Sequence, residues 1–394
     1  MDRTEAFICE IKAALSDNIL PFWIERMKDP KGGYYGRMSG EGELDKDADR
    51  GVILNARIIW AFSATYKATG NKEYLLAATH AKEYFQEHFM DHKHGGVYWS
   101  VDRDGKRKDT KKQLYAQAFA IYGLSEYYSA SGDDQALKAS RNLFQITEKR
   151  FADKENGGYV EALTRDFSPL EDMSLSAHDI NADKTMNSHL HLLEAYTNLY
   201  KVWPERKLKE RTSALLEILT DKIMDKQTGH LNLYFTKEWD VIPGGVSFGH
   251  DIETSWLALE SAFILKDIDL INKVKPCCLK IGQAGLEGLL EDGSMIYEKK
   301  ADGTLDESRQ WWVQAESVVG LLWLWKYHNL SEGAYKAVSG WNYIKNNLVD
   351  TKNGEWYWSI EADGSVNTKD DKAGFWKCPY HNSRMCLEVL KIFG

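Results

Sequence analysis

Two periodicities alternate along this chain. Short runs of period two, apolar or aromatic at every second position, each follow a glycine. They are Gly33-Tyr34-Tyr35, Gly96-Val97-Tyr98-Trp99, Gly158-Tyr159-Val160, Gly229 through Tyr234, Gly293 through Tyr297, and Gly354-Glu355-Trp356-Tyr357-Trp358. Asp104-Gly105, Asp302-Gly303 and Asp363-Gly364 close three of these runs with a second turn, which predicts short β-hairpins. Long stretches of helical period lie between the hairpins. They predict twelve helices, at 3–27, 51–69, 72–90, 113–131, 134–151, 184–203, 206–224, 250–266, 268–289, 309–329, 331–348 and 377–393. Gly70-Asn71, Gly132-Asp133, Pro204, Asp267 and Ser331-Glu332 separate helix pairs with ordinary stop and cap residues.

The marker glycines are spaced by 63, 62, 71, 64 and 61 residues, so the chain is a six-fold repeat. A hairpin plus two helices per repeat predicts an all-α fold, a closed (α/α)6 barrel with its hairpins at one rim. Each pair must bury its apolar stripe on a neighbour. An open solenoid fits less well, because its common periods are about 34 or 40–47 residues. With no linker or composition break, residues 1–394 read as one catalytic domain.

Composition narrows the function. The chain carries 50 Lys+Arg and 59 Asp+Glu, a formal charge of −9, without a basic tract, which argues against nucleic acid. No apolar run nears the ~20 residues of a bilayer span. The N-terminus lacks an export-signal pattern, and the five cysteines are odd in number with no CxxC, so a cytoplasmic protein with reduced thiols is expected. With 14 Trp, 20 Tyr and 14 Phe, a sugar-stacking surface competes with a merely large core.

In the barrel, every even-numbered helix follows a hairpin, so all six should open at one rim. Their first turns read NARIIWAF, YAQAFAIY, NSHLHLLEAY, GHDIETSWLALE, RQWWVQAE and WKCPYHNSRM. Capping explains the Asn, Asp and Ser there, but not His, Arg and Trp in matching places. Spacing gives weaker hints. His250 and Glu253 share a helix face, as do His381 and Arg384, although such pairs are more often surface ion pairs. Asn187 and His191 also share a face. His189 lies about 200° from His191 and reads as structural. His80, His88, His92, His94, His178, His230 and His328 read as surface or structural. A metal site of histidines and a carboxylate is ranked lower, for want of a compact motif such as HExxH. No phosphate-binding, dinucleotide or GxSxG motif is present.

The segments NARIIWAF, YAQAFAIYGLSEYY, KTMNSHLHLLEAY, GHDIETSWL and WKCPYHNSRMCLEVL together resemble the N-acylglucosamine 2-epimerase superfamily. Within it they most resemble the branch acting on β-1,4-linked disaccharides of the cellobiose, lactose or mannobiose type. The resemblance runs from about residue 30 to the C-terminus. It implies an (α/α)6 barrel that inverts C2 of a reducing-end sugar with no organic cofactor and no metal. His250 and His381 are then the acid/base groups on opposite faces of C2. Glu253 is expected to orient His250, and Arg57 to hold the oxygens of a cis-enediolate. His191 and Asn187 are expected near C1 and O5, with His191 assisting ring opening and Ser176 near the ring oxygen. Tyr115, Trp312 and Trp376 are expected to line the pocket, Trp256 to pack beside His250, and Glu316 to bond a substrate hydroxyl. Adjacent Trp311 leaves the register of Trp312 open. The chain is expected to work as a monomer on an oligosaccharide, with no nucleic-acid or membrane partner.

Three other functions compete. A glycoside hydrolase could use Glu253 and Glu316, but leaves the histidines unexplained. An aldose–ketose isomerase or monosaccharide epimerase shares the C2 chemistry. A non-catalytic sugar binder predicts binding without turnover.

Overall fold

The computed structural model describes residues 3–177 and 179–393. Among them run twelve helical rods. These are α1 (Arg3–Ala13, continued by Ala14–Ile19, Leu20–Phe22 and Trp23–Met27), α2 (Val52–Thr69), α3 (Lys72–His88) and α4 (Leu114–Ser131). They are followed by α5 (Asp134–Arg150), α6 (Met186–Val202), α7 (Arg206–Ile218), α8 (Phe248–Leu265), α9 (Ile268–Gly285), α10 (Trp311–His328), α11 (Gly333–Tyr343) and α12 (Tyr380–Phe393). The even-numbered rods form an inner ring in which each touches both neighbours, and α12 closes on α2. Each odd-numbered rod covers the inner helix before it, with α1 on α12. The expected (α/α)6 barrel is the observed one.

The rings differ in sequence for a physical reason. Inner helices meet protein on all sides, and in α2 every residue from Val52 to Ser63 is buried. Outer helices bury one face only, so α5 keeps a polar side and buries Ala136, Ser140, Leu143, Phe144 and Thr147. Asn71, Asp133 and Asp267 cap their helices as expected, and Glu205, beside the expected Pro204, caps α7. At Ser331-Glu332 the expected side-chain cap is not made, since Glu332 precedes α11 with no side-chain cap bond. No helix among the described residues is long and apolar enough to cross a membrane.

Small antiparallel sheets stitch the repeats together. The two residues before an inner helix pair with the hairpin of the next repeat: Arg50 opposite Val101, Gln113 opposite Ala162, Thr185 opposite Tyr234, Ser247 opposite Glu298, and Gln310 opposite Ser359. A bridge between Met38 and Ala373 closes the circuit. Several inner helices therefore start slightly later than their periodicity suggests, at Met186, Trp311 and Tyr380, because the entry residues are spent on strands or the approach loop.

Two further contacts recur at the rim. Near the start of four inner helices, one polar side chain accepts the backbone N–H just past the glycine turn. Gln117 takes Val97 at 2.9 Å, His189 takes Tyr159 at 3.1 Å, Asp251 takes Leu231 at 3.0 Å, and Gln314 takes Met295 at 2.8 Å. His189 is thus a satisfied structural histidine, with its other ring nitrogen 2.7 Å from the Thr185 carbonyl. Buried ion pairs then tie turn to strand: Asp29–Arg50 (2.5 Å), Asp91–Lys112 (3.0 Å), Asp153–Lys184 (2.9 Å) and Asp350–Lys372.

All six marker glycines adopt positive φ, between 66° and 90°. At Gly158 a Cβ would also lie 2.4 Å from the Trp239 ring and 2.9 Å from His189 Nε2, whereas at Gly157 (φ 76°) it would meet open space. Gly157→Ala should cost about 1–2 kcal/mol from backbone strain alone. Gly158→Ala should cost clearly more, read as a lower midpoint in urea denaturation. Equal costs would mean that Trp239 and His189 do not constrain this turn.

Candidate active site

The framing side chains set which residues face the barrel axis. Two positions beyond Gln117, His189, Asp251 and Gln314 lie Phe119, His191, Glu253 and Glu316. The equivalent places on α2 and α12 hold Arg57 and Arg384. These six inward positions form one layer of the barrel. Its polar members are His191, Glu253 and Glu316, flanked by Arg57 and Arg384. His250 and His381 each sit one residue before the framing position of their helix, in the layer above.

Contacts confirm that the rim residues converge. Arg57 donates to the Tyr115 hydroxyl at 2.8 Å and to the Trp376 carbonyl at 3.3 Å, with its guanidinium 4.1 Å from the Phe119 ring centre and 4.7 Å from that of Tyr380. The Tyr115 ring meets His191 at 5.1 Å and Trp376 at 5.9 Å. Trp312 lies between the two proposed bases, 4.7 Å from His250 and 5.7 Å from His381. The register question is settled as well: Trp311 is buried against Trp358, and Trp312 faces the site. Arg57 is buried, and among the described residues no carboxylate pairs with it. A buried guanidinium without a counter-ion is suited to a charge that appears only during reaction.

The two histidines are held differently. His250 Nδ1 lies 2.8 Å from the Ser247 hydroxyl, the N-cap of its own helix. His381 Nδ1 lies 2.7 Å from Glu316 Oε1. Burial, and secondarily His191, pushes His250 down to about 3. Burial, then Arg57 and Arg384, also depresses His381 well below the ordinary imidazole range. Both are therefore neutral bases near neutral pH.

Three expectations are corrected here. Glu253 does not orient His250. Its Oε1 takes a hydrogen bond from Arg384 Nη2 at 2.5 Å, and its Oε2 has no partner. A side chain in the first helical turn leans back toward the N-terminus, so His250 reaches Ser247 instead of residue 253. Glu316 is not open to a substrate hydroxyl. Its Oε1 serves His381 and Arg384, both at 2.7 Å, and its Oε2 accepts from the Trp256 indole at 3.1 Å. Trp256 accordingly packs beneath Arg384, 4.8 Å from ring centre to guanidinium carbon, and not beside His250.

Arg384 was visible in the sequence only as a partner by spacing for His381, and it proves to be the hub. Its Nη2 bonds Glu253 and Glu316, and its Nη1 bonds Glu194. Glu194 in turn holds His191 Nδ1 at 2.9 Å. The i,i+3 pairing that sequence suggested for His250 and Glu253 thus occurs at His191 and Glu194. Glu253, Glu316 and His381 offer ligand atoms within 4.8 Å of one another, a spacing fit for a metal ion. Arg384 already supplies a cation to both carboxylates there.

Asn187 and His250 line a small cavity of about 80 Å³ together with Glu161, Asp179, Tyr234 and Tyr297. Ser176 donates to Asp179 at 2.6 Å, and it is Asp179 that reaches this cavity wall. His178 lies outside the described residues. A larger cavity of about 940 Å³ opens at the opposite end of the barrel and reaches Glu194 and Arg384 from behind. Ion pairs line its mouth, Lys67 with Glu126 and Lys201 and Lys391 with Glu260.

Fold and site together define a closed helical barrel whose mouth holds two neutral histidines, an uncompensated arginine and aromatic walls. The chain belongs to the N-acylglucosamine 2-epimerase family, which it matches over residues 33–384, and it is a carbohydrate epimerase of the isomerase class. It is 50% identical over 383 residues to a cellobiose 2-epimerase of Bacteroides fragilis, covering 97% of this chain and 98% of that protein. A cellobiose 2-epimerase of Ruminococcus albus is 40% identical over 384 residues, covering 97% and 98%. The structure of cellobiose 2-epimerase from Bacillus thermoamylovorans superposes with a TM-score of 0.94 at 38% identity, over 98% of this chain and 99% of that one.

Burial, with Glu316 adding to it, pushes Glu253 from 4.5 up to about 7 despite Arg384. The folded protein then binds this proton more tightly than the unfolded chain. Its stabilising contribution is complete below about pH 4.5 and is lost as pH rises through about 7. Glu253→Gln stays neutral throughout. The difference in melting temperature should therefore shift in favour of the variant as pH rises from about 5 to about 8. A pH-independent difference would show that Glu253 is ionised throughout.

Proposed function

We propose that this protein catalyses reversible C2 epimerisation of the reducing-end glucose of β-1,4-linked disaccharides, cellobiose to glucosyl-mannose and lactose to epilactose. The observation that carries the reading is the pair of neutral imidazoles, His250 and His381, on either side of Trp312, with Arg57 buried nearby and without a counter-charge. Relatives named cellobiose 2-epimerase at 50% and 40% identity support the substrate class.

The positions of these residues support a sequence of steps. The sugar opens to its aldehyde beside His191 and Asn187. One histidine removes the C2 proton, and the electron pair moves into the C1 carbonyl to give a cis-enediolate. Arg57 faces the oxygens that gain charge and needs no rearrangement to do so. The other histidine, after taking a proton from solvent, delivers it to the opposite face of C2, and the first then releases its proton to solvent. His381 can stabilise its imidazolium through Glu316, and His250 has only a hydroxyl at Nδ1. The two directions of the reaction therefore start from unequal bases. Trp376, set edge-on to Tyr115 and Trp99, offers a face for the second sugar.

A hydrolase is disfavoured by the carboxylates themselves. Glu253 and Glu316 share one arginine nitrogen at 2.5 and 2.7 Å, and both are fully buried beneath His381. Two such groups cannot flank a glycosidic bond. We further read the chain as a single catalytic domain acting as a cytoplasmic monomer. A main apolar core running from Phe7 to Val389 supports the single domain, and five unpaired cysteines support the reducing compartment.

His250→Asn and His381→Asn should each lower epimerisation of cellobiose by ~10²–10⁴-fold. Each can still exchange the C2 proton of one epimer in D2O through the remaining base, read by NMR. Near-native turnover in both variants would remove the assignment, and ketose labelled at C1 would mark an isomerase. Trp376→Ala should lower turnover of cellobiose more than that of glucose. Equal losses would make Trp376 structural.

A further inference from the structure

His191 is the one histidine at the mouth whose carboxylate partner lies on its own helix. Glu194, one turn along α6, places Oε2 at 2.9 Å from His191 Nδ1, and both side chains are buried. Glu194 is itself fixed from α12. The Tyr380 hydroxyl lies 2.5 and 2.6 Å from its two oxygens, and Arg384 Nη1 bonds Oε1. The His191 ring has little freedom to turn, because it stands edge-on to Tyr115 at 5.1 Å and against Phe119 at 4.8 Å.

We propose that Glu194 is a positioning residue for ring opening, which fixes His191 as the tautomer with its proton on Nδ1 and a bare Nε2 toward the sugar. The inference rests on the epimerase reading above and goes beyond it in assigning the group that prepares His191. Burial would raise the Glu194 carboxyl, but Arg384, His191 and Tyr380 outweigh it and hold it at about 2. An ionised carboxylate can only accept, so the Nδ1 proton must stay on His191. A neutral ring protonated there has a lone pair at Nε2.

That lone pair has a defined use. It accepts the proton leaving O1 as the C1=O1 double bond forms. The C1–O5 bond breaks with its electron pair on O5, and the proton now on Nε2 is returned to O5. Atoms and charge balance without a co-reactant. Arg384 thereby links two stages of the reaction, since one of its nitrogens anchors the carboxylate behind His191 and the other anchors Glu316 behind His381.

Glu194→Gln is the test. An amide has one oxygen for three donors, so it can no longer hold His191, Tyr380 and Arg384 together. Enzyme-catalysed interconversion of the α and β anomers of cellobiose, measured by magnetisation transfer at C1, should fall by ~10²-fold, the lower range for an acid–base group. The isotope effect on kcat/KM for cellobiose deuterated at C2 should shrink toward unity, because ring opening becomes limiting. A merely structural lesion would slow the C2 step and leave that isotope effect intact. Unchanged anomer exchange, or a loss of turnover with the full isotope effect, overturns the proposal. Nitrogen-15 NMR of the wild-type protein gives a readout that needs neither the variant nor turnover. A protonated Nδ1 and bare Nε2 at His191 are expected, and the opposite tautomer refutes the assignment. Failure of the epimerase reading would look different: wild-type protein would not exchange the C2 proton at all, whatever the tautomer.

Discussion

One buried guanidinium holds the barrel and its chemistry together. Arg384 projects from α12, the last helix to join the ring, and meets carboxylates from α6, α8 and α10. Without it, three acidic groups would face one another in the interior, at a cost of several kcal/mol for each charge left ionised. With it, the sixth helix cannot dock at another register, because no other position would satisfy Glu194, Glu253 and Glu316 together. The planar fork of arginine serves carboxylates on two sides through separate, fixed nitrogens, a geometry that the single ammonium of a lysine does not offer. Barrel closure and active-site assembly are therefore one event.

The same arginine divides the site into unlike parts. Glu194 is pulled down to about 2 and remains ionised, whereas Glu253 is pushed up to about 7 and has an oxygen with no partner. Around a single cation, one carboxylate is a fixed charge and another is poised to change charge near neutrality. The histidines follow this division. His191 and His381 each have a carboxylate behind Nδ1, and His250 has a serine hydroxyl. A base backed by a carboxylate returns its proton less readily than one backed by a hydroxyl. On the proposed mechanism, the forward and reverse reactions would thus meet different barriers at the two faces of C2.

The fold was legible because its signals are local. Glycine turns and helical periodicity recur six times, and each repeat votes for the same architecture. Helix starts were less legible where strand pairing claims the entry residues, as at Lys184-Thr185 and Arg309-Gln310. The convergence of Arg57, His191, His250 and His381 could be read from matching places on the inner helices. The wiring between them could not. Arg384 lies 190, 131 and 68 positions from its three carboxylates, and no spacing rule reaches that far. The i,i+3 rule was sound but was applied at the wrong helix. It failed at His250, where the first turn leans back to its cap, and it held at His191, five residues into α6 beyond the reach of Thr185.

The framing residues explain why a six-fold scaffold can carry an asymmetric site. Gln117, His189, Asp251 and Gln314 do the same structural work, each accepting one backbone N–H past a glycine turn. They fix the rotation of these four inner helices, so that in each the position two residues on faces the axis. The scaffold thus guarantees direction and leaves identity free. At that position the repeats have diverged to arginine, phenylalanine, histidine, two glutamates and a second arginine. Where a repeat has no chemical duty, an apolar residue serves, and Phe119 forms a face for the Arg57 guanidinium. His189 shows how easily the two layers are confused. It is chemically identical to His191 and two residues away, yet it belongs to the frame. Helix phase separates the two in the sequence, and the bonds of His189 to Tyr159 and Thr185 show which of them belongs to the frame.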